Sequence, residues 1–261
     1  MTCHVTDWSV LFRVPCSVFR VPCSVYKFKI FYSFNLSNLI KLIKMLHQFH
    51  DISNLLYINL DSRIDRRTHF ESQFNKIGLH TQRFSAIRNN DGAIGCSMSH
   101  IACLELAIRN NWDHVLVCED DATMTNPGQL VYQVNQFLTR FKDTWDVLLL
   151  SGNNYQPFRQ ESPECVRVAN CQTATAYLVC RPYFKKLLAN FKEGLKKLIA
   201  EPSQQPKYAI DQYWKNLQRT DRWYLIVPVT VIQRPDYSDI SKQHVNYSDA
   251  MTRVNKKWYG T

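Results

Sequence analysis

The chain has 261 residues, room for one large domain or one and a half small ones. Apolar residues make up 45% and glycines number only 7, which excludes a linker-rich or low-complexity protein. The net charge of +10 is split, +5 in residues 1–50 and +5 in the rest, so a dense basic face for nucleic acid is not demanded and no specific nucleic-acid partner is expected. A phosphate-bearing small substrate accounts for the bias equally well.

Residues 12–18, Phe-Arg-Val-Pro-Cys-Ser-Val, are repeated letter for letter in residues 19–25. Pro15 and Pro22 rule out a coiled coil. No early stretch reaches the roughly 18 apolar residues of a membrane span, and no secretory signal is clear. Lysines interrupt the apolar residues from Phe28 to Leu46, which predicts at most a weak interfacial helix and peripheral membrane contact. Residues 1–44 are therefore expected to be a disordered leader or non-native extension, with Met45 as the start. Nine cysteines show no CxxC pair and no zinc spacing, which fits a reducing compartment. The cytoplasm is expected, with the secretory pathway as the alternative.

From residue 55 strands and helices alternate. Leu55–Leu60 reads as a strand, followed by a polar turn and a helix to about Ile77, stopped by Gly78. Phe84 closes a short second strand. Ser97 or Ser99 is expected to cap a helix bearing Ile101, Leu104 and Ile108, ended by Asn110 and Asn111. Val115–Cys118 is a short unbroken apolar run, the pattern of a strand buried on both faces. Further expectations are a helix over 130–141, a strand over 146–150, a strand over 175–180, and a helix with Pro182 in its first turn. A helix over 209–217 and a strand over 224–232 complete the series. The alternation predicts an α/β layered sheet, whose ligands gather beyond the carboxyl ends of the strands.

The chemistry concentrates there. Glu119, Asp120 and Asp121 directly follow the apolar run, and crowded carboxylates at the end of a buried strand call for a cation. While the chain stays extended, Glu119 and Asp121 face one side and can share a metal; a solvated acidic turn is the bland alternative. Asn59, Arg63, Arg66 and Arg67 surround the first strand-to-helix turn, where arginines suit a phosphate or merely pair along the helix. Ser99 and His100 follow a turn containing Gly92 and Gly95, which matches no nucleotide-binding loop. Asp211 sits among apolar neighbours, as a base or as a helix cap. Residues 233–240 read as a polar lid, and His244 as a further metal ligand or an exposed side chain.

In order, these segments resemble glycosyltransferase family 25, which includes bacterial lipooligosaccharide galactosyltransferases and collagen hydroxylysine galactosyltransferases. The matching stretches are Tyr57-Ile58-Asn59-Leu60 with Arg63, Asp65 and Arg66; Gly95-Cys96 with Ser99-His100; Glu119-Asp120-Asp121; Thr173 to Leu178; Asp211; and Gln233 with Ser238-Asp239-Ile240. The resemblance spans roughly residues 54–240. It implies a GT-A-like fold, a single Rossmann-like mixed sheet flanked by helices, over residues 45–245, with 246–261 as a tail. It implies inverting transfer from a UDP-sugar, with Mn²⁺ or Mg²⁺, to a glycan or a hydroxylated protein. Glu119 and Asp121 then stand where the metal and ribose motif falls. Asn59, Leu60, Arg63, Arg66, Ser99, His100 and Glu119 are expected to contact the donor, and Asp211 and Asp120 to take part in catalysis. The stretch from Ala86 to Gly95 is shorter than the family pattern, which leaves the acceptor loop in question. Another metal-dependent nucleotide-processing enzyme, or an inactive binding protein, are the competing readings.

Overall fold

The computed structural model describes residues 46–238 and 240–257. All of them fall in one compact unit, Lys44–Thr261. The expected leader, its repeat and the interfacial segment up to residue 45 lie outside the described residues.

Strand β1, Leu55–Asn59, is buried along its whole length and runs into helix α1, Ile64–Asn75. Gly78 follows at φ +71°, a left-handed conformation that glycine adopts freely. Strand β2 is Thr81–Ser85. Helix α2, Gly92–Arg109, starts five residues before the expected cap at Ser97: Asp91 accepts from the amides of Ala93 and Ile94 and caps it. Ser97 and Ser99 instead lie inside the helix, their hydroxyls donating back to the carbonyls of Ala93 and Gly95. Strands β3, His114–Glu119, and β4, Ala122–Met124, precede helix α3, Pro127–Phe141. Strands β5 to β10 are Val147–Leu149, Asn153–Asn154, Phe158–Ser162, Cys165–Val168, Cys171–Gln172 and Ala176–Cys180. Helix α4, Arg181–Ala200, carries Pro182 in its first turn as expected.

Two expected elements are broken. A short turn, α5, Gln205–Tyr208, comes first, and the helix expected over 209–217 is itself two turns, α6, Ile210–Tyr213, and α7, Lys215–Gln218. Ala209 at ψ 150° is extended and separates α5 from α6, while Trp214, in helical conformation, joins α6 to α7. The strand over 224–232 splits into β11, Trp223–Ile226, and β12, Val231–Gln233. Pro228 stands between them and offers no N–H to a ladder. A hairpin of β13, Asp236–Ser238, and β14, Gln243–Val245, then leads to α8, Ser248–Thr252. Met251 of α8 is fully buried and Val254 O accepts from Asn154 Nδ2, so the segment set apart as a tail packs on the body.

Among the described residues, eight strands form one mixed sheet in the order β2-β1-β3-β10-β5-β11-β8-β7. Strands β2, β1 and β3 are parallel, and β10 runs against β3. This is the expected α/β architecture. Alternation divides the core between two faces. Leu56, Val115, Val117, Tyr177 and Val179 pack with α2 and α4 residues such as Leu104 and Phe191. Leu55, Tyr57, Leu116, Cys118 and Leu178 pack with α1 and α3 residues such as Phe70, Phe74 and Phe137. No described helix is long and apolar enough to cross a membrane. The six described cysteines are free thiols.

Candidate active site

The parallel pairing of β1 with β3 sets Ile58 opposite Glu119. That register brings the first Arg-rich turn and the acidic run to the same edge of the sheet. It places Asn59 beside Asp120, and Asn59 Nδ2 donates to Asp120 Oδ2 at 2.7 Å and to the Arg63 carbonyl at 2.9 Å. Asn59 Oδ1 accepts from Arg83 Nε at 2.9 Å. Both polar ends of the buried Asn59 side chain are thus occupied in holding the site together. Arg83, which nothing local in the sequence singles out, also reaches the Asn59 carbonyl and Asp61.

A cleft of about 250 Å³ opens at this edge. Leu60, Arg63, Arg66, Ser99, His100 and the three acids line it, together with Gln233 and Arg234. Arg66 is its hub. Nη1 lies 3.0 Å from Asp120 Oδ1 and 3.4 Å from Asp121 Oδ2; Nε lies 3.1 Å from Asp236 Oδ2; Nη2 donates to the Tyr237 carbonyl at 2.8 Å. The cation demanded by the crowded carboxylates is therefore partly supplied by the chain itself. Arg63 pairs with Asp65 at 3.0 Å and Asp236 at 2.9 Å. Asp236, on the expected lid, joins both arginines across 170 and 173 positions of sequence, a partnership that no local pattern reveals.

Strand β3 ends at Glu119, and the chain turns through Asp120 and Asp121. The extended spacing assumed for Glu119 and Asp121 does not continue, and their side chains meet different partners. Asp121 Oδ2 accepts from Gln233 Nε2 at 2.9 Å, while Oδ1 is buried and accepts no hydrogen bond. Burial, with the charge of Glu119 beside it, holds the Asp121 carboxyl above the usual carboxylate range. Asp120 is also raised, again chiefly by burial. Glu119 shares the parity of Val115 and Val117 and so faces α2. Its Oε1 lies 3.5 Å from His100 Nε2 and 3.6 Å from Cys96 Sγ. Burial alone would raise it, but His100 and Cys96 outweigh that, and its pKa is lowered.

Ser99 Oγ accepts from the Ile87 amide at 2.9 Å, pinning the loop between β2 and α2 to the helix. Gly95 permits that approach: a Cβ there would stand 2.7 Å from the Ile87 carbonyl. Asp211 is not among the residues lining the cleft. Its Oδ2 accepts from the amide of Thr173, a residue held at φ +81°, which is costly for a β-branched side chain. Burial raises the Asp211 carboxyl, and the charge of Glu119 adds to the rise. His244 lies exposed on the hairpin with its ring against Tyr237.

The family model of glycosyltransferase family 25 (LPS biosynthesis protein) matches residues 90–201. The match begins just before α2, takes in Glu119-Asp120-Asp121 and ends after α4; Asp211, Gln233 and the hairpin lie beyond it. A Haemophilus influenzae protein described as "Putative glycosyltransferase" is 26% identical over 133 residues, 42% of this chain and 46% of that protein. The match thus spans about half the length of that relative. Among solved structures, a glycosyltransferase involved in glycosylation of the major capsid of PBCV-1 aligns with TM-score 0.42 and 8% identity, over 76% of this chain and 96% of that one. A Drosophila β-1,4-galactosyltransferase 7 mutant, in complex with manganese, UDP-Gal and xylobiose, aligns with TM-score 0.35 and 11% identity, over 79% and 81%. The chain therefore carries a central segment similar to family 25 glycosyltransferases, on a fold read from its own sheet order.

Proposed function

We propose that this chain is a glycosyltransferase. It moves a hexose, galactose or glucose by preference, from a UDP-sugar to a hydroxyl of a glycan or protein side chain, inverting the anomeric carbon. The observation that carries this reading is Asp121: a buried carboxylate in the cleft, beyond the carboxyl end of a central strand, with one oxygen that accepts nothing. Oxygen donors of this kind fit a hard divalent ion, and Asp121 would hold Mn²⁺ or Mg²⁺; Glu119, which faces Cys96 and His100, is not assigned to that ion. When bound, such an ion neutralises charge on the diphosphate of the donor.

The chain's own residues do the rest. Arg66 and Arg63 offer forked donors to phosphate oxygens, and a donor diphosphate competes with Asp236 for them. Asn59 and Asp120 position that arginine pair rather than contact the donor. Ser99 positions the loop beside it. Asp211 is assigned as the base, which requires the acceptor to reach past the cleft lining to its carboxylate: as the acceptor oxygen bonds to the anomeric carbon and the bond to the diphosphate breaks, the hydroxyl proton passes there. A carboxyl raised by burial suits that task. No ligand role is assigned to His244.

The test is a panel of UDP-sugars with Mn²⁺ or Mg²⁺ and hydroxyl acceptors, both glycans and hydroxylysine peptides, scored by released UDP. Asp121→Asn is expected to lower release by about 100-fold or more while the protein stays folded. Folded protein that releases no UDP from any donor overturns the reading. Turnover of nucleoside triphosphates with sugar phosphates would make it a nucleotidyltransferase.

A further inference from the structure

Cys96 and His100 stand four apart on α2, so their side chains share one face of the helix. Glu119, at the end of β3, points at that face. Cys96 Sγ, a His100 ring nitrogen and a Glu119 carboxylate oxygen lie within 4.8 Å of one another, as no other trio of His, Cys, Asp or Glu among the described residues does. We infer that Cys96, His100 and Glu119 form a binding site for a thiophilic divalent ion of the zinc class, distinct from the unpartnered oxygen of Asp121.

Three independent features point there. The first is an under-used ligand atom: His100 is fully buried, and its Nε2 makes no well-formed hydrogen bond, meeting only the Glu119 carboxylate at 3.5 Å. The second is orientation. Nδ1 of the same ring lies 2.9 Å from Tyr177 Oη, also buried. In the tautomer that donates Nδ1–H to Tyr177, Nε2 carries a lone pair towards the trio, and outer hydrogen bonds of this kind commonly fix metal-ligating imidazoles. The third is spacing. Ligand atoms about 2.0–2.3 Å from a tetrahedral zinc ion stand roughly 3.3–3.8 Å from one another. The observed separations are 3.5 Å from Nε2 to Glu119 Oε1 and 3.6 Å from Sγ to the same oxygen.

The donor set selects the metal. One thiol, one imidazole and one carboxylate suit zinc, whereas Mn²⁺ and Mg²⁺ favour oxygen alone. Three protein ligands leave a fourth position towards the cleft, which the same three residues line. Binding replaces the Sγ–H bond of Cys96 with an Sγ–metal bond and passes the proton to solvent. It also ties α2 to the end of β3 and takes Glu119 Oε1 out of the donor cleft.

Co²⁺ reports on such a site without any sugar substrate, so the outcome is separate from the transferase reading. Adding Co²⁺ to the full, reduced chain is expected to give tetrahedral ligand-field bands and a thiolate-to-cobalt charge-transfer band, both abolished by Zn²⁺. Cys96→Ser is expected to lose the charge-transfer band, and His100→Asn to weaken Co²⁺ binding. A folded wild-type chain with no tetrahedral cobalt spectrum overturns the inference, whatever the variants do. An undiminished charge-transfer band in Cys96→Ser assigns the thiolate elsewhere and overturns it equally.

Discussion

Arg66 holds the acidic run together. Its guanidinium touches Asp120, Asp121 and Asp236, and the side chain is only 11% exposed. Removing one member of a buried ion-paired set leaves the others as uncompensated charges. Arg66→Met is therefore expected to cost about 3–5 kcal/mol in urea unfolding. Arg66→Lys keeps the charge but loses the planar fork that reaches several partners at once. It is expected to restore part of the stability and little of any phosphate-dependent activity; equal recovery of both would reduce Arg66 to a point charge. The acids were legible in sequence because three of them follow an apolar run. Their internal counter-ion was not, since Arg66 lies 54 or more positions from Asp120, Asp121 and Asp236 and only folding joins them. The pairing of His100 with Glu119 was hidden likewise. It follows from strand parity and helix spacing once the register of β3 against α2 is known.

At the scale of elements, the well-read ones are the long or wholly apolar ones, such as β1, β3 and α4. The misread ones turn on a single residue: Asp91 displaced the cap of α2, and Pro228 divided a strand. One tie between elements has a clear pH signature. Asp221, in the turn between α7 and β11, accepts from Tyr183 at 2.5 Å and from Lys186 at 2.8 Å, both on α4. Burial alone would raise its pKa, but Lys186, Tyr183 and Thr220 outweigh it, and the carboxyl is lowered. A lowered folded-state pKa means stability that is fully present above the unfolded value, about 3.9, and lost as pH falls through the folded one. Asp221→Asn is expected to cost about 1–2 kcal/mol near neutral pH. Urea unfolding of both proteins from pH 7 downward should show the gap closing below about pH 4. A gap that stays constant to low pH would show that the ionised carboxylate contributes nothing.

At the scale of the whole molecule, a sheet covered on both faces needs its covering elements to reach the edges of each core. The face carrying α1 and α3 is closed by a short segment before β1. Leu46, Phe49 and Ile52 are buried there with Leu55, Phe74 and Phe137. Phe49 is fully buried, and its amide donates to Asn135 Oδ1 on α3 at 2.6 Å. The first strand is therefore not the beginning of the folded unit, and Leu46, Phe49 and Ile52 belong to its core. Phe49→Ala in the full chain removes a large apolar side chain from a packed site. The expected cost is about 3–5 kcal/mol. For a unit of this size that is a fall in Tm on the order of 10 °C. Calorimetry or thermal circular dichroism checks it. An unchanged Tm would mean that the segment does not seal the core, and that the folded unit starts at β1.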